Sequence, residues 1–534
     1  MKIKCLYCLI FFTAAAPAAY AQLFGPVPDR FESLQQNSVS SLEASKSLLW
    51  IGPGLNSYSE TTGNITVPVN ADSVFNSSGR VFSLSVSGEA ILTGIGFTSL
   101  AGGSPVNAAL GYYLSRDHGS SWSFLPFHLD ERPPSDCDAA SVGPPCDIEF
   151  QYGEQTYIRN RISVPEQSPP YDVDFRGNTF FAAHWASGLM RSRDSGASWE
   201  RIILPPSSDT TLSPQHSYNW YSRTPDGAVI NRYDPRFDNN LLGFSVLIDR
   251  ADRVWVGTAA GVNVSDNALS APAEKVSWRR FVYDPENSTG LLSAWVQKIR
   301  EEPETDRIWM TNWKADPENR DEAGIVYTED EGITFHHFLK GVRVNDIGFH
   351  DGVIYAAADD GLYISDDQGA TWKTYSGIVS TNTYIREGAR FYAVASTDNG
   401  IWIGTSDGLA FSDNHGSSWS ILRTDLPPGG GNAYQPETPD NNSYAYPNPF
   451  SPTHHSEVRI KFRAAQSDTP IIRIFDFGMN RIRTLYTGTA PAEGVYETVW
   501  DGRDEGGHSV AGGVYFYSVE TASGFINGKI LLLD

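Results

Sequence analysis

GLYISDDQGATW, residues Gly361–Trp372, carries a pattern that this chain repeats. Ser115–Trp122 reads SRDHGSSW, Ser192–Trp199 reads SRDSGASW and Ser412–Trp419 reads SDNHGSSW, with a looser copy, TEDEGITF, at Thr328–Phe335. Self-similarity in a constant local setting marks a repeat architecture, and it fixes the fold before any single segment is assigned. The setting around Gly361 is an alternating run VRVNDIGF, then GVIYAAADD, then GLYISDD, the repeat itself and ATWKTY. Alternation of apolar and polar residues is strand periodicity, and Gly-rich breaks between short runs mark turns.

Four short strands per unit, with Trp and Gly recurring, describe a propeller blade. The repeat then falls in the hairpin between the third and fourth strands. Asp367 is expected to accept backbone N–H bonds inside the turn, Gly369 to supply a positive φ, and Trp372 to fill the space between neighbouring blades. The same roles fall to Asp117, Gly119 and Trp122, to Asp194, Gly196 and Trp199, to Asp330 and Gly332, and to Gly416 and Trp419. The pattern Ser/Thr-x-Asp-x-Gly-x-Ser/Thr-Trp resembles the Asp-box, or bacterial neuraminidase repeat, of sialidase-like and sortilin-like propellers. Counting units gives seven, with six or eight compatible with the irregular spacing. Val254–Asp266, VWVGTAAGVNVSD, with Trp278 belongs to a unit whose box is eroded, and the first unit keeps only the Ser and Gly register in SETTGNIT, Ser59–Thr66. WVGTAAGV and WIGTSDGL also resemble propeller repeats of two-component sensors.

Residues 1–21 read as a secretory leader: Lys2 and Lys4, an apolar run from Cys5 to Ala16, and the small-x-small site Ala19-Tyr20-Ala21. The run is too short to span a bilayer, and no later segment reaches the ~20 apolar residues a spanning helix needs. Cleavage near Ala21 leaves Cys137 and Cys146 in SDCDAASVGPPC, a pair expected to form a disulfide in an oxidising compartment. A net charge of −23 without a basic run argues against nucleic acid or anionic membranes as partners.

The blade grammar stops after Asp425. LPPGGGNAYQPETPDNNS reads as a linker, assigned to residues 425–443. Residues 444–534 form a separate module whose alternating strands and Gly-rich turns predict a small β-sandwich. It carries Tyr446-Pro447-Asn448-Pro449-Phe450, Ile474-Phe475-Asp476, Trp500-Asp501-Gly502-Arg503, Gly513-Val514-Tyr515 and Gly528-Lys529. These residues resemble the immunoglobulin-like domain of flagellar hook-capping proteins and the related C-terminal sorting domains of type IX secretion. That resemblance implies export through type IX-like machinery to the outer-membrane surface or the medium, and no catalysis. The expected fold is therefore all-β: a seven-bladed propeller in residues 22–424, then an immunoglobulin-like sandwich.

Topology locates a binding face. Loops after the second and fourth strands of every blade share the face opposite the Asp-boxes, and the long insertions 129–169, 206–240, 99–110 and 312–323 all fall there. Aromatic residues beside a few polar groups suit a glycan or extended peptide. The candidates are Arg159, His184, Trp185, His216, Tyr218, Trp220, Tyr221, Arg232, Asp234, Arg236, Trp313 and Lys314. Packing of the insertions onto the blades is the competing use for each. Sialidase chemistry, implied by the Asp-box resemblance, would need three arginines, a Tyr–Glu pair and an Asp, but the Arg-Ile-Pro signature is missing near the start of FGPVPDRFESLQ. Asp172 with Asp174, or Asp234 with Asp238, are the carboxylate pairs available to a polysaccharide hydrolase, and DPRFDNN or DPENRDE to calcium. No phosphate loop, HExxH or spaced Ser-His-Asp set is present. The expectation is an exported module that binds a glycan or extracellular protein, without cofactor or metal. A glycoside hydrolase, or a structural part of export or adhesion machinery, is the alternative.

Overall fold

The computed structural model describes residues 37–66, 79–138, 140–315, 320–380, 383–423, 443–452 and 457–533. Two compact units emerge, a larger one of Asp29–Ser380 with Tyr384–Glu437 and a smaller one built on Thr438–Asp534. Among the described residues the strands pair into antiparallel sheets, with 3-10 turns of three residues at Asn239–Leu241 and Ala273–Lys275.

In the larger unit seven sheets follow one another in sequence, each built from four consecutive strands in simple up-and-down order. Their innermost strands are Ser41–Ser45, Gly79–Ser87, Pro170–Arg176, Gly243–Ile248, Trp295–Glu301, Val344–His350 and Phe391–Thr397, which we number as blades one to seven. Blade four gains a fifth, outer strand, Thr211–Leu212, supplied by the 206–240 insertion and paired with Trp278–Phe281. The ring closes by packing blade seven on blade one: the Val39 N–H donates to the Thr405 carbonyl at 2.8 Å, and the Trp402 ring lies 4.9 Å from that of Tyr58. This is a β-propeller, as the repeat grammar requires.

Between blades the packing is apolar and organised by second-strand tryptophans. Trp50, Trp255, Trp309 and Trp402 are buried. A carboxylate at the preceding turn satisfies two of the indole N–H groups: Trp255 donates to Asp249 at 2.8 Å and Trp309 to Glu302 at 3.0 Å. A buried indole needs such a partner to keep its N–H from being orphaned. Toward the axis, six of the seven inner strands carry a β-bulge at the same register, the extra residue being Phe82, Tyr171, Phe244, Gln297, Asn345 or Tyr392. A bulge re-aims the side chains beside it, and the residue that follows it serves the edge of the next inner strand. Ser83 donates to the Pro170 carbonyl at 2.8 Å, while Asp172 and Asp346 accept from the N–H groups of Val246 and Val394 at 3.2 and 3.1 Å.

The Asp-box is a self-contained brace. Asp367 accepts from Ser365 Oγ, the Thr371 N–H and Thr371 Oγ1 at 2.9, 2.8 and 2.6 Å, and Ser365 Oγ accepts from the Gly369 N–H at 2.7 Å. These bonds hold the Asp367 carboxyl down at about 2. Gln368 and Gly369 both have positive φ, 61° and 91°, and a Cβ on Gly369 would lie 2.6 Å from the Phe338 ring of the preceding blade. Glycine is thus fixed twice, by conformation and by close approach. Boxes at Asp117, Asp194 and Asp330 repeat the bonding, and at Asn414 the amide oxygen does the same work. Trp372 packs with a cluster drawn from blades five and six. The eroded box of blade four keeps its logic across an insertion: Asn267 accepts from Ser265 Oγ at 3.1 Å and from the Ser277 N–H at 2.9 Å.

In the smaller unit Ser443–Tyr446, Val458–Ala464 and Gly494–Trp500 form one sheet. Arg481–Tyr486, Ile471–Phe475, Gly513–Thr521 and Gly524–Leu532 form the other. Alternate residues such as Val458, Ile460 and Phe462 face Tyr515, Tyr517 and Val519 in a core that also holds Phe450 and Trp500. Among the described residues no helix is long and apolar enough to cross a membrane.

Candidate functional site

Cys137 and Cys146 form a disulfide at the head of the first long insertion. Behind it the hairpin Ile148–Tyr152/Gln155–Arg159 packs against the second insertion, with its own hairpin Tyr221–Arg223/Val229–Asn231. The two are joined by an Arg159–Tyr233 bridge.

Their shared core absorbs much of the predicted aromatic cluster. Trp220 is 1 % exposed and donates its N–H to the Leu204 carbonyl. Tyr218 is 6 % exposed, and its hydroxyl accepts from the Ser213 N–H. Arg232 is buried between Asp147 and Asp234, each 3.4 Å away, and Asp234 also receives Arg236 at 2.8 and 2.5 Å. Arg159 clamps Asp130 with two bonds of 2.6 and 2.9 Å. His184 is fully buried: Nδ1–H donates to the Ser168 carbonyl at 2.7 Å, so Nε2 accepts from the Tyr112 hydroxyl at 2.9 Å. Burial lowers the His184 pKa to about 4, which keeps the ring neutral.

The structure therefore gives Tyr218, Trp220, Arg232, Asp234 and His184 internal partners, because the insertions had apolar surface of their own to bury. His216, Tyr221 and Arg236 stay exposed on the outside of the insertion. The carboxylate pairs are likewise engaged. Asp172 meets Lys298 at 2.8 Å, and Asp174 accepts from Ser85 Oγ and the Ile248 and Phe175 N–H groups. Burial pushes Asp174 up to about 6. Asp238 caps the Asn239–Leu241 turn. Of DPENRDE, residues 316–319 lie outside the described residues. Among the described residues no group of His, Cys, Asp and Glu has the geometry to hold a metal ion.

Trp185, Trp313 and Lys314 have a different fate. They stand at the ends of second strands, beside the starts of the inner strands, on the face opposite the Asp-boxes. There a cavity of about 310 Å3 opens at the propeller axis, lined by Phe82, Tyr171, Trp313, Arg343, Arg390 and Tyr392 above a charged floor. A second cavity of about 380 Å3, between Trp295, Trp313, Lys314, Asp321 and Arg343, adjoins it through the shared Trp313 and Arg343. Trp313 fixes its ring by donating to the Val344 carbonyl at 2.6 Å, and the Arg343 guanidinium covers that ring at 3.8 Å, a cation–π contact. Trp185, Phe244 and Trp295 form an adjoining triad with centroids 4.9, 5.4 and 6.1 Å apart. Phe82 meets Tyr171 edge-on at 6.0 Å. Trp185, Trp295, Trp313, Tyr171 and Tyr392 are all half-buried, while Arg343, Arg390 and Lys314 are exposed.

The floor is a charge network. Arg300 donates to both Asp346 oxygens at 2.9 Å and to Glu43, and these two carboxylates raise its pKa well above the usual value despite burial. Asp359 sits 3.0 Å from the Asn345 amide and 3.7 Å from Arg343. Three arginines from different blades thus line the axial cavity. Arg300 is consumed by its carboxylates, and neither Tyr171 nor Tyr392 hydrogen-bonds a glutamate among the described contacts. Phe82, Tyr171, Trp295, Arg343, Arg390 and Tyr392 escaped the sequence reading. Their signal is positional, an aromatic or basic residue at or near the start of an inner strand in blades two, three, five, six and seven.

The class this architecture defines is a β-propeller braced by Asp-boxes, accompanied by an immunoglobulin-like sandwich. Family comparison agrees at both ends. Residues 450–524 match the FlgD Ig-like domain and residues 363–374 match the BNR/Asp-box repeat. No curated protein matches the chain. Among solved structures it is similar to PorZ, a bacterial surface component of the type-IX secretion system of Porphyromonas gingivalis. Identity there is 13 %, 93 % of this chain and 81 % of that one are covered, and the TM-score is 0.34. It is similar to the GH74 xyloglucanase of Xanthomonas campestris, at 14 % identity over 73 % of this chain and 55 % of that one, TM-score 0.44. The third is YCF48 from Cyanidioschyzon merolae, at 13 % identity over 73 % and 97 %, TM-score 0.38. The likeness in each case is one of shape.

Proposed function

We propose that this chain is an exported or cell-surface propeller that binds an extracellular glycan or protein segment across the axial mouth of the insertion-bearing face, without turning it over. The observation that carries this reading is the ring of half-buried aromatics at Tyr171, Trp185, Trp295, Trp313 and Tyr392, flanked by Arg343 and Arg390. Half-buried aromatic faces offer stacking area to sugar rings or extended side chains at little entropic cost. The two exposed guanidiniums favour a ligand with carboxylate or sulfate groups. Glycoside hydrolysis needs a proton donor and a second carboxylate with free lone pairs; in this cavity Glu43 and Asp346 are held by Arg300, which leaves Asp359, bonded through one oxygen to Asn345, without a second carboxylate of that kind. That favours a binder over a hydrolase.

The reading of residues 1–21 as a leader, 22–424 as propeller, 425–443 as linker and 444–534 as a sorting module completes the proposal, with type IX-like machinery as the export partner. The Cys137–Cys146 disulfide fits an oxidising destination. A glycan array weighted toward acidic polysaccharides, run beside hydrolysis assays, tests the site. Retention lost in Trp313→Ala and Arg343→Gln, with no turnover, is the expected result; release of reducing sugar would replace binding with hydrolysis. Deleting 444–534 should hold the protein in the periplasm, and normal export of the truncated chain would remove the sorting role.

A further inference from the structure

One repeat position divides the axial mouth in two. In each bulged inner strand, the residue two places before the bulge stands at the start of the strand, on the insertion-bearing face. In blades two, six and seven it is Arg80, Arg343 and Arg390; in blades three, four and five it is Pro169, Leu242 and Trp295. Blade one lies between blades seven and two, so the cations follow one arc of the ring. Blades three to five form the opposite arc, and it is aromatic, with Tyr171, Trp185, Phe244, Trp295 and Trp313.

All three arginines are exposed, in a chain of net charge −23. Two sit over rings, Arg343 over Trp313 at 3.8 Å and Arg80 over Phe82 at 4.7 Å. A guanidinium seated on a ring is fixed in place and keeps N–H donors along its edge. Arg80 spends one on Asn107 at 2.6 Å. Asp359, 3.7 Å from Arg343, is beyond hydrogen-bond length. The backbone of Arg390 bonds to Ser406, but its guanidinium has no hydrogen bond or ion pair among the described residues. Arg343 and Arg390 line the axial cavity while Arg80 lies outside its lining. The three therefore do not converge on a single anionic group; they suit charges spaced along a chain.

A pyranuronate fits both arcs. Its ring faces carry C–H groups that stack on aromatic rings, and its carboxylate projects from the ring edge, where a guanidinium fork can take it in two bonds. Tyr171 and Tyr392 add phenol groups for its hydroxyls. An extended peptide with acidic and apolar residues alternating would also present two faces, but it needs partners for its backbone. The axial edges of the inner strands are already occupied by side chains: Ser83 bonds the Pro170 carbonyl, Asp172 the Val246 N–H, Asp174 the Ile248 N–H and Asp346 the Val394 N–H. A peptide adding as a further strand finds those groups taken, whereas a sugar chain has no backbone amides to satisfy.

We propose that the axial mouth holds successive sugars of a polyuronate, an acidic polysaccharide with a carboxylate on each of several neighbouring residues. Carboxylates pair with Arg343 and Arg390 and, further along the chain, with Arg80, while ring faces lie on the aromatic arc. This assignment rests on the axial mouth being the binding surface and adds the class of glycan it takes.

The test is calorimetry on the full chain with dimers and hexamers of galacturonate, glucuronate and mannuronate. Cellohexaose, dextran sulfate and an alternating Asp-Phe hexapeptide serve as the neutral, sulfated and peptide probes. At least one uronate hexamer is expected to bind about tenfold or more tighter than its dimer, and to weaken as salt rises from about 20 to about 300 mM. Arg390→Gln should weaken dimer and hexamer about tenfold, the worth of one charge-assisted contact. Arg80→Gln should weaken the hexamer and leave the dimer unchanged. Arg390 makes no side-chain contact on which the fold depends, so Arg390→Gln decides alone if Arg80→Gln does not fold. Cellohexaose bound as tightly as the uronates and lost in Trp313→Ala would keep the axial mouth as a glycan site and overturn the polyuronate. Binding of dextran sulfate or the peptide in place of the uronates, or wild-type affinity in Arg390→Gln, would overturn it as well. No binding of any glycan would remove the axial site itself.

Discussion

Acidification should destabilise the propeller through one histidine, by an amount that can be worked out. His184 has a folded pKa near 4 because burial opposes its charged form, against about 6.5 in an unfolded chain. Between those values the unfolded state binds the extra proton, so stability rises with pH there. The contribution is complete above about pH 6.5, declines as the pH falls and is lost below about 4. A difference of roughly 2.5 units corresponds to about 3 kcal/mol, a large share of a domain's typical stability. Asp174 works in the opposite sense. Its folded pKa, raised to about 6, makes its contribution most favourable below the unfolded value near 4 and lost as the pH rises through 6. The two oppose each other between pH 4 and 6, so the histidine's share has to be separated from the wild-type curve.

Subtraction exposes the histidine. His184→Gln can still face Tyr112 and Ser168 but does not titrate. Urea unfolding followed by tryptophan fluorescence reports the propeller almost exclusively, since all of the 14 tryptophans but Trp500 lie there. The stability advantage of wild type over His184→Gln should shrink by about 3 kcal/mol from pH 7 to pH 4. A difference that stays constant with pH, or a His184 ring titrating near 6.5 by NMR, would refute the reasoning.

Removing Arg300 as Arg300→Met should cost roughly 3–5 kcal/mol, because Glu43 and Asp346 are left facing each other at the axis; adding Glu43→Gln should recover part of the loss in urea melts. Asp367→Ala should lower the melting temperature clearly more than Asp366→Ala, since Asp367 braces the turn and Asp366 is exposed beside Lys373. Equal effects would show that the box brace adds nothing to blade stability. Cys137→Ser with Cys146→Ser should loosen a short loop worth about 3 kcal/mol in the chain-entropy model. Protease nicking between residues 131 and 146 should appear, and the main unfolding transition should fall by a few degrees.

The Asp-boxes were legible because the brace is local: Ser, Asp, Gly and Ser/Thr at fixed offsets satisfy one another within eight residues, whatever surrounds them. The strand order, the disulfide and the sandwich at the C-terminal end were readable for the same reason, as periodicity and turn chemistry act over short stretches. Even the degenerate box of blade four kept its bonding through Asn267, though nine intervening residues hid it from pattern matching.

Burial was not legible, and burial decided the site. HSYNWYSR looks like an exposed aromatic cluster, yet Tyr218 and Trp220 turn inward because the two insertions, distant in sequence, bury them against Tyr152, Tyr157 and Tyr233. Conversely Tyr171, Trp295 and Tyr392 sit in ordinary strand-starting positions, unremarkable one by one. Only closing the ring brings them to one axial mouth, where Arg343 and Arg390 join them. Sequence by itself determined the repeat, its turns and which face bears the insertions, since those follow from local bonding and strand order. The tertiary structure alone decided which side chains that face leaves open, because exposure depends on contacts between residues far apart in the chain.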